Sequence, residues 1–280
     1  MKFSTQDLTP RIGTEIRTDL DTLLSGAIAR EIRTLLEQRG VLLFRGLDVS
    51  DEHQLRFART LGTVREEHGL PITKITADAK KSPIFADYTK GTFFFHIDGT
   101  YTDMPGLASI LRARVVAPSG GQTEFANTYA MYEDLPEAER RLLDGLEVVH
   151  SGETIQRLAF PTPTAEQLAA WGEGAVPPRT HPMVWHHRSG RRSLLLAYSA
   201  KYVVGMNRAA SDALLARLLA RAEQPQYIYR HDWHVGDLLI WDNTGTMHRV
   251  VPFDLNCGRE LHRVTLVGEE PITAPVRAPA

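Results

Sequence analysis

A single cysteine in 280 residues, Cys257, leaves no intramolecular disulfide to hold the fold together. The chain must rely on burial, and this sparing use of cysteine fits a reducing compartment. Charge of one sign is also lacking: 32 Lys and Arg stand against 34 Asp and Glu, a net charge of -2. No electrostatic footprint for nucleic acid follows from that balance. The short arginine clusters, Arg140-Arg141 and Arg188 to Arg192, read as a helix face and a turn. No apolar run approaches the ~18 residues needed to span a bilayer. Met1 to Thr9 is polar and lacks the apolar core of a signal peptide. Disulfide scaffold, nucleic-acid binder and membrane protein are thereby disfavoured, and a cytoplasmic globular protein is expected. The remainder is ordinary for that class, with 42% hydrophobic and 24% charged residues.

The chain alternates helical and extended patterns. Asp21 to Gln38 carries Leu24, Ile28, Ile32, Leu35 and Leu36 at helical spacing and reads as one helix stopped by Gly40. Val41 to Phe44 reads as a buried strand. Ser50 should cap a helix over Asp51 to Thr60, with Gly62 ending it. The stretch 66–92 is irregular and reads as a substrate loop. Leu107 to Val116 is expected as a strand, and Tyr129 to Leu143 as two short helices split by Pro136. Residues 154–182, with Pro161, Pro163, Pro177 and Pro178 around a short helical piece, Ala165 to Trp171, read as an insert that lids the site or as a plain surface loop. Met183 to His187 and Ser193 to Ala197 form a hairpin pattern, and Ser211 to Glu223 a helix. Strands then resume through Leu266, and 273–280 is expected to be disordered. Many short strands with flanking helices point to a mainly β sandwich or barrel.

One constellation carries chemistry. Phe93-Phe94-Phe95 reads as an extended run leading into His96-Ile97-Asp98. On an extended chain His96 and Asp98 leave on the same side. A second histidine, His248, follows Gly236-Asp237-Leu238-Leu239-Ile240-Trp241-Asp242-Asn243, a turn and buried strand. Two imidazoles and one carboxylate suit one face of an Fe(II) ion and leave the opposite face open. Arg259 and Arg263 lie four apart near the start of a strand, so both guanidiniums can serve one pocket and grip carboxylates.

With these residues the chain resembles the taurine dioxygenase and 2,4-dichlorophenoxyacetate dioxygenase family of Fe(II)- and 2-oxoglutarate-dependent oxygenases. The resemblance runs from about Leu35 to Pro271. It includes Gly40-Val41-Leu42-Leu43-Phe44-Arg45-Gly46, Phe57-Ala58-Arg59, Leu61-Gly62, His96-Ile97-Asp98-Gly99-Thr100 and Pro118-Ser119-Gly120-Gly121-Gln122-Thr123, then the Trp241 segment, His248, Arg259 and Arg263. It implies a double-stranded β-helix, or jelly roll, as a single oxygenase domain over 1–272. It implies His96, Asp98 and His248 as iron ligands, and Thr123 and Arg259 as holders of the distal carboxylate of 2-oxoglutarate. Arg263 is implied to meet an anionic group of the substrate and His68 to contact it, while Gly99 would widen the pocket. The implied reaction uses Fe(II), 2-oxoglutarate and O2 to hydroxylate a small organic molecule, releasing succinate and CO2. Fragmentation follows where the hydroxylated carbon bears a heteroatom. A homo-oligomer is compatible with this reading. Taurine itself is disfavoured, because residues for its amine cannot be matched. Halogenation is disfavoured by the presence of Asp98.

Two other readings compete: a non-catalytic jelly-roll binding protein, and a zinc hydrolase using the same three ligands. Intact His96, Asp98, His248 and Arg259 argue against the first, and the second gives Thr123 and the arginine pair no task. The other histidines have structural readings. His186 and His187 face opposite sides of the hairpin, His231 and His234 are expected to be exposed, and His262 should point away from Arg263. Phe93 to Phe95 read mostly as core, with one ring free to line the pocket, and Trp241 reads as core, while Tyr88, Phe95 and Tyr101 would suit an apolar or aromatic substrate body.

Overall fold

The computed structural model describes residues 3–78, 80–81 and 89–273. Tyr88 and most of the expected 273–280 tail therefore lie outside the described residues. Seven strands form the larger sheet, in the order Phe3–Asp7, Thr14–Thr18, Val41–Phe44, Leu238–Asp242, Ala108–Val115, Glu260–Thr265 and Thr73–Thr76. A smaller sheet faces it: Ile228–His231, Thr123–Asn127 and Thr246–Val250. The alternation of side chains along Val41–Phe44 explains how both faces are covered. Leu42 and Phe44 pack under helices, whereas Val41 and Leu43 point between the sheets. In the space between, Phe125 and Tyr229 of the smaller sheet meet Leu43, Leu111, Leu239 and Trp241 of the larger one. Each such buried side chain contributes about 1.5–3 kcal/mol. This pair of facing sheets is the jelly roll that the sequence suggested.

Helix Asp51–Leu61 lies on the outer face of the larger sheet. Ser50 caps it, accepting from the His53 amide at 3.1 Å. Buried Gln54 donates to the carbonyls of Ile110 and His262, tying the helix to two strands. The single helix expected over Asp21 to Gln38 is in fact two, Leu20–Ser25 and Ala29–Arg39. Gly26 takes a left-handed φ of 77° there and turns the chain between them. Helices Thr128–Glu133 and Glu137–Asp144 are split around Pro136, as the sequence indicated.

One other expectation fails in an instructive way. Phe93-Phe94-Phe95 is not a strand: Thr89–Phe93 is a 3-10 turn, with the Thr92 hydroxyl donating to the Thr89 carbonyl at 2.6 Å. The far end of the 154–182 stretch is sheet, since Arg179–Pro182 pairs with Glu147–His150. Its first part holds two helices, Gly152–Ala159 and Ala165–Trp171. Lys90 lies over the Phe160 ring at 5.4 Å, which brings this segment beside the turn leading to His96.

Candidate active site

The site is built on one backbone junction. His96 and His248 exchange two hydrogen bonds, His96 N–H to the His248 carbonyl at 3.0 Å and the reverse at 2.9 Å. That bridge joins the chain after the 3-10 turn to the inner strand Thr246–Val250, where His248 pairs with Phe125. Asp98 is fixed separately, by Asn243 at the end of Leu238–Asp242. The Asn243 amide oxygen accepts from the Asp98 N–H at 3.0 Å. Its nitrogen donates to the Asp98 carbonyl at 2.7 Å and to the Gly106 carbonyl at 3.1 Å.

Ligand atoms of His96, Asp98 and His248 consequently lie within 4.8 Å of one another. Among the described residues they are the one group of three or more His, Cys, Asp or Glu arranged in this way. Asp98 Oδ1 is 3.7 Å from His96 Nε2 and 3.9 Å from His248 Nε2. His96 Nδ1 lies 2.9 Å from the Phe94 carbonyl. Donation to that oxygen keeps the proton on Nδ1 and frees the Nε2 lone pair for a cation. Burial, with His96 beside it, pushes His248 down to about 3, so it is neutral at ordinary pH. Trp241 and Phe125 cover His248, with ring centroids 4.7 and 6.2 Å away. Burial alone would raise Asp98, but His248, Arg263, His96 and Arg65 hold it below the usual carboxylate value. Two imidazoles and one carboxylate, converging and backed by an apolar wall, fit a divalent ion such as Fe(II).

The two arginines, similar in sequence, sit in opposite electrostatic situations. Arg259 is 5% exposed, and its guanidinium donates to the Gly121 carbonyl at 3.1 Å and lies over the Phe253 ring. Among the described residues no carboxylate pairs with it. Burial therefore pushes it down to about 10. A buried cation without an acid is costly and calls for an incoming anion. Gly121 has a φ of 74°, and a Cβ there would come within 3.1 Å of Arg259 Nε, so the guanidinium lies directly on the glycine. Thr123, two residues on, accepts from Trp233 Nε1 at 2.9 Å and keeps its own hydroxyl hydrogen to donate. Arg263 is the reverse case. It donates to Asp98 Oδ2 at 3.3 Å and to Glu67 Oε2 at 2.9 Å.

Glu67 is the residue that sequence reasoning passed over. The irregular stretch around it was singled out, but His68 was chosen within it. His68 stands exposed at the tip of the 67–70 turn with a φ of 55°, and its neighbour reaches the site instead. Gly99 also has a different task from the one expected. Its φ is 85°, and a Cβ would press on Pro105 at 3.3 Å, so glycine serves the turn after Asp98. Asn243 was quoted within a motif without a role, although an amide directly after a buried strand is a signal for such a clamp.

The remaining histidines are structural. His231 is fully buried, contrary to expectation, because Asp237 meets its Nε2 at 3.1 Å and the Tyr229 hydroxyl meets its Nδ1 at 2.9 Å. His262 turns away from Arg263 to Asp51 and Glu260. His187 is held by the Ser193 hydroxyl at 2.8 Å. Phe95 is core, whereas Tyr101 is 54% exposed beside the site.

Comparison with known proteins agrees with this geometry. A family model described as "Taurine catabolism dioxygenase TauD, TfdA family" matches residues 4–265. An alpha-ketoglutarate-dependent 2,4-dichlorophenoxyacetate dioxygenase of Burkholderia sp. (strain RASC) is 33% identical over 269 residues, covering 89% of each chain. An alpha-ketoglutarate-dependent sulfate ester dioxygenase of Pseudomonas putida is 34% identical over 270 residues, covering 94% of this chain and 88% of its own. Among solved structures, AAD-2 in complex with Mn(II) and N-oxalylglycine superposes with a TM-score of 0.83 at 29% identity. That match covers 98% of this chain and all of the other.

Proposed function

Because the chain belongs to the taurine catabolism dioxygenase TauD, TfdA family, we propose that it hydroxylates a small organic molecule through a site built from His96, Asp98, His248, Thr123, Arg259 and Arg263. It is an alpha-ketoglutarate-dependent dioxygenase that needs Fe(II), 2-oxoglutarate and O2. In our reading His96, Asp98 and His248 hold the iron, and Arg259 with Thr123 holds the distal carboxylate of 2-oxoglutarate. The bound iron, with 2-oxoglutarate and O2, supplies oxidation of a C–H bond while 2-oxoglutarate becomes succinate and CO2.

The protein's own residues do the positioning. The His96–His248 bridge and the Asn243 clamp set the three donor atoms before any ion arrives. Trp241 and Phe125 keep water from the back of His248. Phe253 shields Arg259, so that its charge acts at low dielectric. The observation that carries the reading is the buried Arg259, with no acid against it among the described residues, bonded to the Gly121 carbonyl two residues before Thr123. A zinc hydrolase leaves that cation without a task. Where the oxidised carbon bears a heteroatom, we infer that the product fragments.

The segment 154–182, within a single domain spanning 1–272, is proposed as the cover of the mouth. Its packing against the turn before His96 supports this role. No helix among the described residues is long and apolar enough to cross a membrane. With the single cysteine, that favours a cytoplasmic protein, and a homo-oligomer is compatible with it. The relatives are named for a carboxylate, 2,4-dichlorophenoxyacetate, and for sulfate esters. Whether this chain shares such a substrate turns on Arg263.

The test is anaerobic titration of the metal-free protein with Fe(II) and 2-oxoglutarate. A weak visible charge-transfer band that requires both additions is the expected result. No band, with tight Zn(II) binding in its place, would overturn the reading.

A further inference from the structure

We propose that Glu67 sets substrate charge: it occupies Arg263, so the end of the substrate lying against Arg263 is uncharged, an amide, ester, ether or hydrocarbon and not an anion. This rests on the dioxygenase reading above, and it assigns the substrate class of that same site.

Glu67 is not a loose surface partner. Its Oε2 accepts from Arg263 at 2.9 Å and from the Thr73 hydroxyl at 2.9 Å, while Oε1 accepts from the Thr265 hydroxyl at 3.1 Å. Thr73 and Thr265 belong to neighbouring strands of the larger sheet, and Thr73 is the register partner of Arg263 itself. The Glu67 and Arg263 side chains are only 21% and 14% exposed. The turn carrying Glu67 is closed by reciprocal backbone bonds between Glu67 and Leu70. Three donors on two strands thus hold the carboxylate at the guanidinium.

The local charges then decide. Arg263 brings one positive charge to two carboxylates, Glu67 and Asp98. With a metal held by Asp98, that carboxylate is matched by the ion, and Glu67 remains to neutralise the guanidinium. A substrate anion would meet a guanidinium already bonded to Glu67, and would face its like charge at close range. Displacing Glu67 would leave a largely buried carboxylate without its cation, which is strongly unfavourable. Arg65 is the other cation whose field reaches Asp98, yet among the described residues its side chain bonds to neither carboxylate. Arg259, in contrast, has no acid beside it among the described residues. Of these two arginines it is the ready anion receptor, and it serves the co-substrate. An uncharged group loses nothing by lying over the closed Arg263–Glu67 pair.

The experiment compares wild-type protein with Glu67→Gln, which keeps the shape and can hydrogen-bond both threonines, one of them with donor and acceptor reversed, but removes the charge. Each is loaded anaerobically with Fe(II) and 2-oxoglutarate, then titrated with phenoxyacetate, hexanoate and their primary amides, following the shift of the visible band. Thermal unfolding of both proteins checks that the variant folds. Wild-type protein should bind the amides in preference to the acids. Glu67→Gln should move the acid-to-amide preference by about tenfold or more toward the acids. An acid preferred by the wild-type protein, through Arg65 or otherwise, overturns the proposal. So does an unchanged ratio, or no acid binding to Glu67→Gln. Loss of the band before any acid or amide is added would instead sink the dioxygenase reading, so the two failures are distinguishable.

Discussion

Asn243→Ala should damage both the stability of the protein and its hold on a metal, by amounts that can be estimated separately. Asn243 is 1% exposed and makes three hydrogen bonds, two to the backbone of Asp98 and one to Gly106. A buried hydrogen bond contributes about 1 kcal/mol net, and a partner left unsatisfied costs about 1–3 kcal/mol. Truncation strands one N–H and two carbonyls, and a water entering the space restores part of the loss. We expect about 3–4 kcal/mol of destabilisation on this reckoning, read as a shift in urea midpoint with the slope unchanged. Because the clamp orients Asp98, Mn(II) affinity should also fall by about 10- to 100-fold. Leu215→Ala is the control. Leu215 lies on helix Arg208–Ala222 with its side chain buried in the core, is neither a donor nor part of the clamp, and its loss costs about 2–5 kcal/mol. That variant should lose stability without losing affinity. Mn(II) binding by Asn243→Ala within about threefold of wild type, measured by calorimetry below the unfolding range, would refute the reasoning and show that Asp98 needs no clamp.

Three further outcomes are expected. His96→Ala should abolish Mn(II) and Fe(II) binding while the protein stays folded by circular dichroism; retained stoichiometric binding would remove His96 from the ligand set. Arg259→Ala should weaken 2-oxoglutarate by about 2–3 kcal/mol, the worth of charged hydrogen bonds. An unchanged 2-oxoglutarate dependence of the visible band would mean that another group holds that carboxylate. Asp242 gives a pH prediction. Burial pushes its carboxyl up to about 6, despite the hydrogen bonds from Thr244, against about 3.9 in an unfolded chain. The folded protein thus holds that proton more tightly, and stability falls as pH rises from about 4 to about 6, by on the order of 3 kcal/mol. Asp242→Asn lacks this loss, so it should gain on wild type between about pH 4 and about pH 7 in urea unfolding. An equal difference between the two proteins at both pH values would contradict it.

The sequence revealed what depends on local chemistry. Ser50 and Gly62 marked the ends of a helix, because capping is a property of a few adjacent residues. His96, Asp98 and His248 were legible as residue types that suit one ion, and the facing sheets followed from alternating buried positions. What escaped notice depends on partners distant along the chain. Glu67 lies 196 residues from Arg263, and nothing near Glu67 hints at a guanidinium. His231 looked exposed beside a turn until Asp237 folded back on it. The aromatic run Phe93 to Phe95 carried strand propensity, but Thr89, Gly91 and Thr92 wound its start into a 3-10 turn. Gly26 and Gly99 both demanded backbone angles that helix periodicity and motif matching do not register.

The reciprocal bond between His96 and His248 also fixes an order of events in time. Its two halves come from the middle of the chain and from its last strands, and the Asn243 clamp spans 145 residues. No early folding intermediate, and no chain still emerging from synthesis, holds the three donors together. Occupation of the assembled three-donor site therefore follows folding, unlike small domains that metal assembles. A half-made chain lacks that site, so the oxidising chemistry waits for the walls that contain it.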